Sequence, residues 1–226
     1  MNDRTWGGIA PQCPPLDWRA LWSDERHGRW QVEEATRESD GWTRPNLRLV
    51  MGDEERRLTG AMCVCVRRDG PQPRVLLVEQ DRPAPGVRLW EVPSGMVDEE
   101  DATPAESALR ELSEETGVEA RFVADLGEIY PDPGVFAASV QVVVAEAGPA
   151  EADSPRRTGD HDVTGDGDGG NGSGDAGEGP EVERTGWFTQ EEIDTLIATG
   201  RLRCGISLAA LTLARTWRNR NPNLDR

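Results

Sequence analysis

The sequence predicts an α/β fold, on three observations. Residues 104–116 read as an amphipathic helix punctuated at both ends. Val75-Leu76-Leu77-Val78 is a continuous apolar run, as in a strand covered on both faces. After a long polar break, residues 181–217 resume as strand, helix, helix.

The elements follow in chain order. Residues 1–28 are rich in Pro and Trp without sustained periodicity, and five of the eight tryptophans (Trp6, Trp18, Trp22, Trp30, Trp42) precede residue 43. They predict a lid or edge packed on the core; the alternatives are a dimer surface or an aromatic wall that stacks a purine. Two short strands are expected within 29–50. Leu58 to Arg68 and Arg74 to Gln80 read as paired strands, with Asp69-Gly70 beginning the turn. Cys63 and Cys65 alternate on the first of these, which makes them reduced small hydrophobes facing one side of the core. Leu89 to Gly95 leads into the helix. Thr103 and Glu106 predict a capping box with Pro104 at the first helical position, and Gly117 a left-handed stop. Phe122 to Tyr130 and Ala138 to Ala147 read as strands around Pro131-Asp132-Pro133-Gly134. Residues 148–180 are acidic and glycine-rich, cannot bury a core and are expected to be disordered. Glu181 to Phe188 reads as a strand, Thr189 to Glu192 as a second capping box, and Ile206 to Trp217 as a last helix.

Two faces of the 104–116 helix differ in kind. Ala105, Ala108, Leu109, Leu112 and Thr116 form one core-facing stripe. Glu111, Glu114 and Glu115 fall at i, i+3 and i+4 beside it, a spacing that stacks carboxylates roughly 5–6 Å apart. Clustered glutamates usually mean a solvated helix face. Like charges so placed destabilise a helix, and a hard divalent cation such as Mg²⁺ or Mn²⁺ would relieve the repulsion.

Arg110-Glu-Leu-Ser-Glu-Glu-Thr-Gly-Val118, preceded by a strand and a glycine turn at Gly95, resembles the Nudix box, Gly-x5-Glu-x7-Arg-Glu-U-x-Glu-Glu-x-Gly-U with U apolar. The half from Arg110 to Val118 matches at every fixed position. Fourteen residues separate Gly95 from Arg110 where the signature has thirteen, so Asp101 or Glu100 would replace the box glutamate. Glu79-Gln80-Asp81-Arg82 and Glu91-Val92-Pro93-Ser94-Gly95 resemble the branch that hydrolyses ADP-ribose and other nucleoside-diphosphate sugars. Asp81 stands in place of that branch's aromatic residue, and Ser94 in place of its alanine.

The resemblance implies a Nudix α/β/α sandwich, a mixed sheet between helices, over residues 58–217. Residues 1–57 would add strands that could serve a homodimer, and 218–226 would form a tail. It implies Mg²⁺ or Mn²⁺ held by Glu111, Glu114, Glu115 and the Ser94 carbonyl, with Arg110 pinning a helix carboxylate. It implies substrate contacts from Arg82 and Glu91, and a marker proline at Pro133, sixteen residues after Gly117. A further catalytic glutamate would come from the loop before the last strand, Glu181 or Glu183. The expected reaction is hydrolysis of ADP-ribose to AMP and ribose 5-phosphate. The alternatives are another sugar nucleotide, a nucleoside triphosphate, or a catalytically silent nucleotide-sugar sensor.

Composition excludes other classes. The formal net charge of −17 over 226 residues disfavours partnership with bare nucleic acid or an anionic membrane. All 25 basic residues are arginine. With two histidines, His27 and His161, both in polar stretches, a histidine triad or zinc site has little material. No run of about 18 apolar residues occurs, Met1 to Arg4 does not open a signal peptide, and a cytoplasmic location is expected.

Overall fold

A computed structural model describes residues 16–24, 30–39, 42–51, 58–98, 100–149 and 182–222. Strands β1 (Arg19–Ser23), β2 (Trp30–Ser39) and β3 (Trp42–Met51) form a small antiparallel sheet in the order β1-β2-β3. The two strands expected there are ten residues each, and β1 adds a third that the sequence pattern did not announce. Glu33, Ala35 and Val50 are buried, whereas Leu21, Trp22 and Leu47 are exposed. Leu49 joins this sheet to the loop around Val135: its N–H donates to the Val135 carbonyl at 2.7 Å, and its carbonyl accepts from the Ala137 N–H at 3.0 Å.

The main sheet holds β4 (Leu58–Arg67), β5 (Arg74–Arg82), β6 (Val87–Glu91), β7 (Ser94–Met96), β8 (Ala120–Ile129), β9 (Ser139–Ala147) and β10 (Val182–Phe188). Its path is β10-β5-β4-β9-β8, with β6 on β5 and β7 on β4. Only β4 and β9 pair in parallel, so the sheet is mixed. Helix α1 (Pro104–Thr116) covers one face; α2 (Gln190–Ala198) and α3 (Gly205–Arg220) cover the other. The period of two sorts the central strands. Ala61, Cys63 and Cys65 of β4 and Val143, Ala145 and Ala147 of β9 pack under α1. Met62 and Val64, with Val142 and Val144, pack under α2 and α3. Cys63 and Cys65 are free and buried, and burial pushes both thiols up, which leaves them inert.

One feature of the sheet places the site. β4 and β5, expected as a full hairpin, pair only at Val66↔Val75 and Arg67↔Arg74. Beyond that the strands part. β6 then pairs with β5 from Val78↔Glu91 to Arg82↔Val87, and β7 pairs with β4 at Gly60↔Met96 to Met62↔Ser94. The short link Val92-Pro93 bridges them, its Pro93 carbonyl accepting from Cys63 N–H at 3.0 Å. Apolar periodicity specifies faces and not partners, so this opening was invisible in the sequence.

Helix α1 begins and ends as its residues dictate. Thr103 caps it, accepting from Glu106 N–H at 3.2 Å, and Gly117 closes it at φ 69°. The reciprocal half of the expected capping box is displaced by one residue: Glu106 accepts from Ala102 N–H at 3.0 Å. The second box, Thr189 with Glu192, is complete. Residues 150–181, which include most of the acidic segment and Glu181, lie outside the described residues.

Candidate active site

Where β4 and β5 part, the C-terminal half of α1 lies against β7. Gly95 leaves room for a carboxylate. A Cβ built there would stand 2.0 Å from Cδ of Glu111 and 2.2–2.3 Å from its oxygens. Only glycine lets that carboxyl rest on the strand, so the requirement at Gly95 is for space.

Arg110 ties the acidic side chains together. Its Nε donates to Asp101 Oδ2 at 3.1 Å, its Nη1 to Glu111 Oε1 at 3.0 Å and to Glu114 Oε2 at 3.1 Å, and its Nη2 to the Met96 carbonyl at 3.2 Å. A lysine has no fork that reaches four acceptors in this way. Of the two residues read as replacements for the box glutamate, Asp101 is the one that meets Arg110. The Ser107 hydroxyl and then Arg110 hold the Asp101 carboxyl below its usual range. Glu100 is exposed.

Glu115 is held from two strands. Gln80 Nε2 of β5 donates to Oε1 at 2.8 Å, and the Ser94 N–H of β7 donates to Oε2 at 3.2 Å. Burial pushes its carboxyl up to about 7, against the Ser94 hydrogen bond and with help from the neighbouring Glu111 charge. Burial raises Glu111 too, and Arg110 offsets part of that shift. Glu114 is different: its side chain is 59% exposed.

The other expected residues are placed as follows. Arg82 and Glu91 form a bidentate pair, both bonds 2.9 Å, with Glu91 2% exposed. Pro133 sits on an exposed turn, apart from the α1 carboxylates in sequence and on the loop that carries Val135 to β3. Glu183 is exposed on β10, 3.8 Å from Arg88, itself paired with Asp81. Glu181 cannot be placed, being outside the described residues. Gln80, singled out in the sequence only as part of a strand motif, is the side chain that the geometry adds. The signal for it was a polar residue in phase with Leu76 and Val78 at the end of an apolar run.

The side chains brought together here are carboxylates, the oxygen type that hard divalent ions prefer. Two of the carboxyls are raised by burial, so what the pair lacks is positive charge beyond Arg110. Among the described residues no three acidic side chains converge as ligands, and Arg110 Nη1 stands between Glu111 and Glu114. The residues fit such an ion in kind, with Arg110 as its competitor for Glu111 and Glu114.

A mixed sheet between helices, with an arginine-bound carboxylate cluster over a glycine, defines a class of α/β proteins, and comparison with known proteins names it. The NUDIX domain matches residues 56–203, and the chain belongs to that family. A protein of Schizosaccharomyces pombe named as an uncharacterized Nudix hydrolase is 31% identical over 128 residues, 55% of this chain and 54% of its own length. The ADP-ribose pyrophosphatase of Saccharomyces cerevisiae is 33% identical over 88 residues, 38% of this chain and 37% of its own. The chain thus spans about half the length of the first relative and less of the second. A crystal structure of an ADP compounds hydrolase superposes with a TM-score of 0.62 at 18% identity, covering 94% of this chain and 97% of that one, a likeness of fold. No helix among the described residues is long and apolar enough to cross a membrane.

Proposed function

We propose that the protein is a divalent-metal-dependent pyrophosphohydrolase that cleaves a nucleoside diphosphate linked to a second group. ADP-ribose is the proposed substrate, with AMP and ribose 5-phosphate as products. The observation that carries this reading is the pair of half-buried carboxyls, Glu111 and Glu115, held over Gly95 where β4 and β5 part. The name of the yeast relative and the Gln80-x-Arg82 strand motif favour ADP-ribose within the class.

Nudix hydrolases use divalent metals, and here Glu111, Glu114, Glu115 and the Ser94 carbonyl would hold Mg²⁺ or Mn²⁺. The ion supplies Lewis-acid chemistry, activating water at neutral pH and offsetting charge on the pyrophosphate oxygens. The chain's own residues do the rest. Arg110 orients Glu111 and Glu114 through a single Nη1. Gln80 and the Ser94 N–H hold both oxygens of Glu115. Arg82, held by Glu91, would contact the anionic substrate, and Pro133 lies on the loop that would flank it. Proton removal falls to a glutamate, on α1 or at Glu181 or Glu183. Residues 58–217 form the hydrolase unit. Residues 1–57 supply a homodimer surface, a reading supported by exposed Leu21, Trp22 and Leu47.

The test is product analysis after incubation with Mg²⁺ and a panel of ADP-ribose, other sugar nucleotides and nucleoside triphosphates. AMP and ribose 5-phosphate from ADP-ribose, absent in EDTA, are expected. Preferential turnover of a triphosphate moves the substrate, and turnover of nothing in the panel overturns the reading.

A further inference from the structure

Beside the α1 carboxylates sits a buried side chain whose amide is only half used. Gln80 follows the apolar run of β5, and the period of two puts it on the face of Leu76, toward α1. It is 2% exposed. Its Nε2 donates to Glu115 Oε1 at 2.8 Å. Its Oε1 has no hydrogen-bond partner among the described residues.

A buried acceptor without a partner weakens a fold. A methionine has nearly the same length and volume and carries no such penalty. Stability alone therefore argues against an amide at this position, and the contact the amide does make is with Glu115. That carboxylate receives its second hydrogen bond from the Ser94 N–H of β7. Two donors from two strands, one on each oxygen, fix the plane of the group, because rotation of the Glu115 side chain would break both bonds. The orientation of the remaining lone pairs is then fixed as well. The donor type matters as well. A lysine would donate equally but would neutralise Glu115 and compete with any cation for it; a neutral amide holds the carboxylate and leaves its charge available.

We propose that Gln80 is a positioning residue, holding the Glu115 carboxylate in the orientation that meets a divalent cation. This rests on the reading of Glu111 and Glu115 as ligands of such an ion. Gln80 is sealed from solvent and acts through Glu115, without touching nucleotide.

The experiment titrates Mn²⁺ alone into the wild type, Gln80→Met and Gln80→Asn by calorimetry. Melting temperatures are recorded in EDTA and in Mn²⁺. Gln80→Met keeps the shape and removes the donor; Gln80→Asn keeps the amide but shortens its reach by one methylene, and serves if the first variant fails to fold. Both are expected to bind Mn²⁺ about 10–100-fold more weakly, as loss of a ligand's hydrogen-bonding neighbour does elsewhere. Gln80→Met trades an unpartnered amide oxygen for a lost donor to Glu115, so it should melt in EDTA close to the wild type, yet gain less from Mn²⁺. With ADP-ribose, kcat should fall while KM stays put. Affinities within about threefold of wild type in both variants would overturn the role of Gln80 while leaving the ligand assignment standing. Equal losses of melting temperature in EDTA and in Mn²⁺ would mark a merely structural residue and overturn it too. If the wild type itself takes up no Mn²⁺, the ligand assignment of Glu111 and Glu115 fails, and the proposal falls with it.

Discussion

Gly95 and Glu111 occupy one another's space: the missing side chain of the first is where the carboxyl of the second rests. Gly95→Ala must push Glu111 off β7. It is predicted to lower turnover by at least about 10–100-fold, the scale seen when a ligand's support is lost, with only a modest fall in melting temperature. Steady-state kinetics beside calorimetry checks both halves. Glu115 gives a pH prediction with a definite sign. Its carboxyl is raised from 4.5 to about 7, mainly by burial. The folded state therefore holds a proton that the unfolded state has lost between those values. Its contribution to stability is complete below about pH 4.5 and lost as pH rises toward 7, on the order of 2–3 kcal/mol at about 1.4 kcal/mol per unit. Urea unfolding of metal-free protein should show that decline, and Glu115→Gln should flatten it; identical profiles would contradict the burial of this group. At this scale the sequence was informative about spacing and silent about surroundings. Positions 111, 114 and 115 were legible as one cluster. That Glu114 is exposed while Glu115 is walled in by Gln80 and Ser94 depends on strands far from α1 in the chain. The same holds for Asp101, since an extra residue before Arg110 says nothing about which acid turns inward.

Helix α1 was the most legible element because its signals are local: a threonine cap, a proline at the first position, a glycine stop and one apolar stripe. Thr103→Ala should lower stability by about 1 kcal/mol in urea unfolding, with kcat nearly unchanged, since the cap lies more than two turns from Glu115. Leu112→Ala should cost about 2–5 kcal/mol, because Leu112 is fully buried in the layer between α1 and the sheet. Strand existence was equally readable, but strand partnership was not. The apolar run of β5 fits pairing with β4 along its whole length, and pairing actually stops after two residue pairs. Loop and link geometry around Val92-Pro93 decides that, and it is what opens the sheet for the site. The small sheet shows the same limit. Residues 1–28 lack the alternation that marks a half-buried strand, and β1 is exposed along its length, so it needed no such pattern.

Across the whole molecule, a formal charge of −17 and a partly buried pair of acids set a protein against itself at neutral pH. Millimolar Mg²⁺ or Mn²⁺ is predicted to raise the melting temperature, since it binds the folded state alone; about 2.7 kcal/mol follows at a hundredfold excess over Kd. Scanning calorimetry with and without EDTA reads this directly, and an unmoved transition counts against a formed ion site. The layered fold was within reach of the sequence because central strands bury both faces and α1 only one, patterns that survive without knowledge of partners. Glu111, Glu114 and Glu115 are proposed to act together on the substrate's diphosphate, and that turns on Glu115. The most direct test is the initial rate of AMP formation from ADP-ribose in saturating Mg²⁺, compared between the wild type and Glu115→Gln with folding verified for both. A fall of at least about 100-fold is expected, beyond the loss expected for a supporting neighbour. A variant that keeps its rate within a few-fold would show that Glu115 is a buried acid and nothing more.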